Sequence, residues 1–122
     1  MKKRVLIIDD TEFVQKTYKI KLLSDGYDVS VAKNGIEGLK AVSENRPDII
    51  LLDLIMPIMD GFKFLKTIRE DPDSKEIPIV VFSSKGAHDE IEKALSLGAT
   101  DYLIKAVTTP NKVSEKIRQV LS

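Results

Sequence analysis

Five polar side chains stand directly behind short apolar runs: Asp9 and Asp10 behind Val5 to Ile8, Asp53 behind Ile49 to Leu52, Ser83 behind Ile79 to Phe82, and Lys105 behind Tyr102 to Ile104. If those runs are strands of one sheet, their ends bring the five together. Three carboxylates in one crevice repel by about 3 kcal/mol per pair at ~5 Å and an effective dielectric near 20. A hard divalent cation relieves that repulsion, and Mg2+ typically takes one or two carboxylates, several waters and a phosphate oxygen. A thiolate or multi-histidine zinc site is excluded, because cysteine is absent and His88 is the only histidine. With the cation in place, Asp53 can attack an activated phosphoryl group and become an aspartyl phosphate. A carboxylate is a weak nucleophile, so catalysis would rest on position and charge. Mg2+ and the Lys105 ammonium would hold equatorial phosphoryl oxygens, and the Ser83 hydroxyl would donate a hydrogen bond to another.

For this chemistry the runs must be neighbouring strands. Four of them do not alternate between apolar and polar, which is the pattern of strands covered on both faces. The segment Asp28 to Ala32 does alternate, with Val29 and Val31 on one side and Asp28 and Ser30 on the other, and so suits a sheet edge. Between the runs, apolar residues recur three or four apart: Val14, Tyr18, Leu22; Ile36, Leu39, Val42; Phe62, Leu65, Ile68; Ile91, Ala94, Leu95; and Val113, Ile117, Val120, Leu121. That is helical spacing. Gly26 and Gly98 close two of these stretches where a left-handed residue ends a helix, and Pro110 stands where a last helix would begin. Five strands alternating with five helices predict an α/β fold, a doubly wound five-stranded parallel sheet with helices on both faces. In such sheets the ligand crevice lies beyond the carboxyl ends of the strands, near the point where strand order reverses. The five polar residues fall there.

Composition narrows the function classes. The 122 residues suit one domain, and 43% hydrophobic residues argue against disorder. Nineteen Lys plus Arg cancel nineteen Asp plus Glu, so no overall field draws the chain to nucleic acid or anionic lipid. The opening Met1-Lys2-Lys3-Arg4 imitates a signal peptide, but the apolar run that follows stops at Asp9. No stretch approaches the roughly 18 apolar residues of a membrane span, so the chain is expected to be cytoplasmic. No glycine-rich phosphate loop follows the first strand, which disfavours nucleotide or flavin binding.

The strings Val5-Leu6-Ile7-Ile8-Asp9-Asp10, Asp53-Leu54-Ile55-Met56-Pro57-Ile58-Met59-Asp60-Gly61 and Asp101-Tyr102-Leu103-Ile104-Lys105 resemble the receiver domain of two-component response regulators. The resemblance covers essentially the whole chain, read as one receiver domain over residues 1–122. It implies a flavodoxin-like strand order of 2-1-3-4-5. It further implies that Asp53 is the phosphoacceptor, that Asp10 binds Mg2+ directly and Asp9 through water, and that the main-chain carbonyl of Ile55 adds a ligand. Ser83 and Tyr102 would couple the phosphoryl group to an output face made of the fourth helix, fifth strand and fifth helix. Ser83 would move toward the phosphate and Tyr102 would turn inward. A histidine kinase or a phosphotransfer protein would be the phosphodonor, small acyl phosphates would sometimes serve, and a downstream effector protein would read the result. Such a chain catalyses its own phosphotransfer and a slow autodephosphorylation without being a classical turnover enzyme. Only one amphipathic helix follows the last strand, so output is expected to need another protein.

Plainer roles compete with these. Asp10 could cap a helix, Asp60 before Gly61 suits a cap better than a ligand, and Lys105 could be one more solvated lysine. A one-residue error would exchange Ser83 with Ser84. His88 beside Asp89 and Glu90 suits an exposed helix start, Met56 and Met59 suit gap filling around Pro57, and Tyr102 could simply be core. Ile55 and Lys85 would rim the site, and an isoleucine cannot orient an attacking water. Two rival functions remain: a receiver-like scaffold that is never phosphorylated, and a Mg2+-dependent phosphohydrolase with an aspartate nucleophile, for which no cap is visible. The chain departs from the family where Ala106, not proline, follows Lys105, and where Ser83 replaces the commoner threonine. A cis bond before a non-proline residue costs about 2.5 to 4 kcal/mol, so the Lys105-Ala106 bond is predicted to be trans.

Overall fold

The computed structural model describes residues 2–122. The elements follow in the order β1 (Arg4–Ile8), α1 (Glu12–Ser24), β2 (Asp28–Ala32), α2 (Gly35–Glu44), β3 (Ile49–Leu52), α3 (Gly61–Glu70), β4 (Ile79–Ser83), α4 (His88–Ser96), β5 (Asp101–Ile104) and α5 (Pro110–Leu121). One short 3-10 turn, Lys105–Val107, separates β5 from α5. All pairings are parallel and the sheet order is β2-β1-β3-β4-β5, as expected. Three of the continuous apolar runs are the central strands β1, β3 and β4, whereas the fourth, β5, is an edge whose residues are only half-buried; the alternating Asp28–Ala32 is the other edge.

Successive residues of a strand face opposite sides, and that alternation sorts the core into two layers. Leu6, Ile8, Ile50, Leu52, Ile79 and Val81 pack with Val42, Phe64, Leu65, Ile68 and Ala94 of α2, α3 and α4. Val5, Ile7, Ile49, Leu51, Val80 and Phe82 pack with Val14, Tyr18, Leu22, Val113 and Ile117 of α1 and α5. Each fully buried aliphatic side chain contributes about 1.5–3 kcal/mol, so these layers supply the main stabilisation.

The helix ends follow local chemistry. Gly26 and Gly98 have φ of 96° and 105°, and each closes its helix with paired backbone bonds: Gly26 N–H to Leu23 and Tyr27 N–H to Leu22, Gly98 N–H to Leu95 and Ala99 N–H to Ala94. Thr109 accepts from the Lys112 amide ahead of Pro110. α2 departs from its expected stripe. Ile36 is 51% exposed while Gly35, Gly38 and Val42 face the core. Here the close approach is made by small residues, which a search for large apolar side chains does not detect. α4 has one buried residue, Ala94, and no side-chain cap at its start.

No cis peptide bond occurs among the described residues, so Lys105-Ala106 is trans. The following turn is tied back by Thr108, whose hydroxyl donates to the Ile104 carbonyl at 2.7 Å. Ile58, in the loop after β3, has φ of 71° and is 81% exposed. A β-branched residue in the left-handed region is strained by about 1–2 kcal/mol. Asparagine tolerates that conformation, and little burial is lost. Ile58→Asn is therefore expected to raise stability by about 1 kcal/mol, or about 4 °C in thermal midpoint. A melting curve with an unchanged or lower midpoint contradicts the strain.

Candidate functional site

The β ladder runs one residue past the ends of β1 and β3. Asp9 N–H donates to the Ala32 carbonyl at 3.0 Å and Asp53 N–H to the Ile8 carbonyl at 2.9 Å. Strand alternation therefore continues, and it turns Asp9 and Asp53 to the side of Ile7 and Leu51, the α1/α5 layer. Lys105 follows Leu103 by two residues and lies on that side too. Ser83 and Tyr102 have the opposite parity. They belong with Val81, which pairs with Tyr102 in the register. Thus the carboxylates and the lysine gather on one side of the sheet, and the serine–tyrosine pair on the other.

Asp9 is 2% exposed and Asp53 5%, whereas Asp10 lies at the surface. Each offers an oxygen within 4.8 Å of the others. Lys105 Nζ lies 2.8 Å from Asp9 Oδ2 and 3.4 Å from Asp53 Oδ2, so the solvated-lysine reading does not apply. The Thr11 amide donates to Asp9 Oδ1 at 2.8 Å, and Gln15 Nε2 to the Asp9 carbonyl at 2.6 Å. Thr11 is the N-cap residue of α1; Asp10 is not. Ile55 touches the site through its amide, which donates to Asp53 Oδ1 at 3.4 Å.

Behind Asp53 the chain is braced by the start of α3. Asp60 accepts from the Lys63 amide at 2.9 Å, the expected cap, and Gly61 N–H donates to the Leu54 carbonyl at 2.9 Å. A Cβ on Gly61 would collide with the Asp53 carbonyl and lie 2.6 Å from Leu54 Cα, so only glycine lets the helix sit this close. Met56 is buried and Met59 packs against the same layer, both filling gaps.

Ser83 is fully buried and Ser84 exposed, which resolves their order. The Lys85 amide donates to Ser83 Oγ at 3.2 Å, and the half-buried Tyr102 hydroxyl donates to the Lys85 carbonyl. The backbone of one residue, Lys85, thus ties Ser83 to Tyr102 through its amide and its carbonyl. Burial raises the Tyr102 phenol above its usual range, while the Ser83 hydroxyl beside it works the other way. His88 is exposed at the start of α4, 3.2 Å from Glu92. One contact escaped the sequence reading: the Lys105 ammonium lies 5.7 Å over the Phe82 ring. Its signal is the β4/β5 register, which pairs Phe82 with Leu103.

Burial first, then the Asp9 carboxylate, push the Asp53 carboxyl above the usual carboxylate range; the Lys105 ammonium and the Ile55 amide only partly oppose them. The folded chain therefore holds this proton to higher pH than the unfolded chain does, and stability falls as pH rises from about 4 through the raised value. Asp53→Asn, which carries no charge, is expected to be more stable than the native chain at pH 7 without Mg2+ and to show less of that decline. Urea midpoints at pH 4 and pH 7 measure it; a variant less stable than native at pH 7 refutes the electrostatic account.

The site and fold match known proteins. The profile of the response regulator receiver domain family matches residues 5–118. Response regulator PleD of Caulobacter vibrioides is 36% identical over 107 residues, 88% of this chain and 24% of the relative. Probable transcriptional regulator ycf27 of Guillardia theta is 35% identical over 120 residues, 98% of this chain and 46% of the relative. This chain therefore spans about a quarter of the length of the first relative and just under half of the second. Among solved structures, chemotaxis response regulator CheY4 of Vibrio cholerae superposes with a TM-score of 0.92 at 29% identity, covering 99% of this chain and 100% of its own. With both fold and motifs in agreement along its length, the chain belongs to the response regulator receiver domain family.

Proposed function

We propose that this chain is a phosphorylation-controlled binding switch that accepts a phosphoryl group on Asp53 and presents a changed α4-β5-α5 face to a partner. The observation that carries this reading is the acidic cluster bridged by one ammonium: carboxylate oxygens of Asp9, Asp10 and Asp53 within 4.8 Å of one another, with Lys105 across Asp9 and Asp53. The donor set consists of hard oxygens, with no cysteine in the chain, and receiver domains bind Mg2+ at such a pocket. Asp9, Asp10, Asp53 and the Ile55 main-chain carbonyl would hold the ion. Bound there, Mg2+ neutralises charge on the carboxylates and on the transferring group.

The chain's own groups then have defined tasks. An Asp53 oxygen attacks phosphorus, a P–O bond to Asp53 forms, and the P–N bond of a phosphohistidine or the P–O bond of an acyl phosphate breaks, its electron pair leaving with imidazole or carboxylate. Lys105 moves its ammonium from the carboxylates to a phosphoryl oxygen, and Ser83 donates its hydroxyl hydrogen to another. When Ser83 turns to the phosphoryl group, the bond from the Lys85 amide is disturbed, and Tyr102 feels it through the Lys85 carbonyl. Phosphorylation adds about −1.5 to −2 charges, enough to bias a two-state loop and helix surface. A histidine kinase or histidine phosphotransfer protein is the donor, and a downstream effector protein is the reader. No helix among the described residues is long and apolar enough to cross a membrane.

Intact mass after incubation with Mg2+ and acetyl phosphate tests the reading. The native chain gains one phosphoryl group and Asp53→Asn gains none. A protein that releases many equivalents of phosphate is a hydrolase, and one that does neither is a scaffold. Half-exposed Ile55 cannot align a water, and Lys85 lies at the rim. Self-hydrolysis is therefore expected to be slow, and a phosphoryl half-life of a few seconds in excess Mg2+ contradicts this.

A further inference from the structure

Lys105 has four rotatable side-chain bonds, and its ammonium must leave Asp9 to reach a phosphoryl oxygen. No neutral acceptor holds Lys105 Nζ; its polar contacts among the described residues are Asp9 and Asp53. What remains constant is the surface beneath it. Register pairs Phe82 with Leu103, and Lys105, two residues further along, rises on the same side. Its ammonium lies 5.7 Å from the Phe82 ring centroid, inside the range of cation–π attraction. The Phe82 ring is 3% exposed and is itself braced edge-on by Tyr18 of α1, with ring centroids 5.0 Å apart at 66°. The Lys105 side chain is 20% exposed, so the attraction is only partly screened by water.

We propose that Phe82 is a positioning residue for the phosphotransfer: its ring, locked by Tyr18, forms the platform on which the Lys105 ammonium is held between Asp9 and the incoming phosphoryl group. The inference rests on the phosphoacceptor role of Asp53. The ring keeps its attraction wherever the ammonium moves above it, whereas each carboxylate contact is made or lost. A lysine freed of this platform samples more rotamers and presents its charge to the phosphoryl group less often.

Two measurements test this. In the first, Phe82→Leu preserves an apolar side chain but removes the ring. Its rate of phosphorylation by acetyl phosphate in saturating Mg2+ is expected to fall about threefold with Lys105 present and not at all in a Lys105→Ala background, because the ring acts only through the lysine. A rate that is unchanged, or that falls equally in both backgrounds, overturns the proposal. In the second, proton NMR of the unphosphorylated protein is expected to show the Lys105 ε-methylene shifted upfield by the ring, with the shift lost in Phe82→Leu. An unshifted ε-methylene in the native chain overturns the proposal even if acetyl phosphate fails to modify it. That failure alone would instead refute the phosphoacceptor reading.

Discussion

Two buried carboxylates and one surface carboxylate share a crevice with one ammonium, and most of the local architecture answers to that electrostatic load. A pair of such charges repels by about 3 kcal/mol, comparable to what one buried leucine or isoleucine contributes. The strands that deliver Asp9 and Asp53 carry Val5, Leu6, Ile7, Ile8, Ile49, Ile50, Leu51 and Leu52, all at most 2% exposed. The burial next door therefore outweighs the repulsion several times over. A region so supported can keep its acidic end destabilised, which is the usual condition of a functional site.

The pleat of the sheet divides labour. Asp9, Asp53 and Lys105 share a side with α1 and α5, and Ser83 and Tyr102 face α2 to α4. Phe82 and Ser83 are neighbours in sequence yet serve opposite layers, one beneath the ammonium and the other beside the tyrosine. In the proposed switch, information crosses the sheet within two residues of β4 and is passed on by the Lys85 backbone, through its amide and its carbonyl.

Much of this was legible in the residues alone, for identifiable reasons. Central parallel strands are covered on both faces, so their unbroken apolar runs stand out, and the polar residue that ends each run marks the crevice. Gly26, Gly98, Asp60 and Pro110 announced their helix ends because each answers a local backbone requirement. Helical spacing puts Ile36 in a buried stripe, but α2 packs through Gly35 against Met59 and through Gly38 against Ile8 and Phe64, and glycines leave no apolar signal. Ser83 could not be separated from Ser84 by pattern, only by the resemblance and then by burial. The Phe82–Lys105 contact joins residues far apart in sequence and depends on register, which periodicity does not encode. The left-handed backbone at Ile58 runs against the preference of its side chain, so it too had no local sign.

α4 is seated on the sheet by one small side chain, Ala94, and its start lacks a side-chain cap. Its outward residues carry almost no duty in holding the fold together. In the proposed switch, that outward face can therefore change its residues without disturbing the packing that holds the strand ends in place.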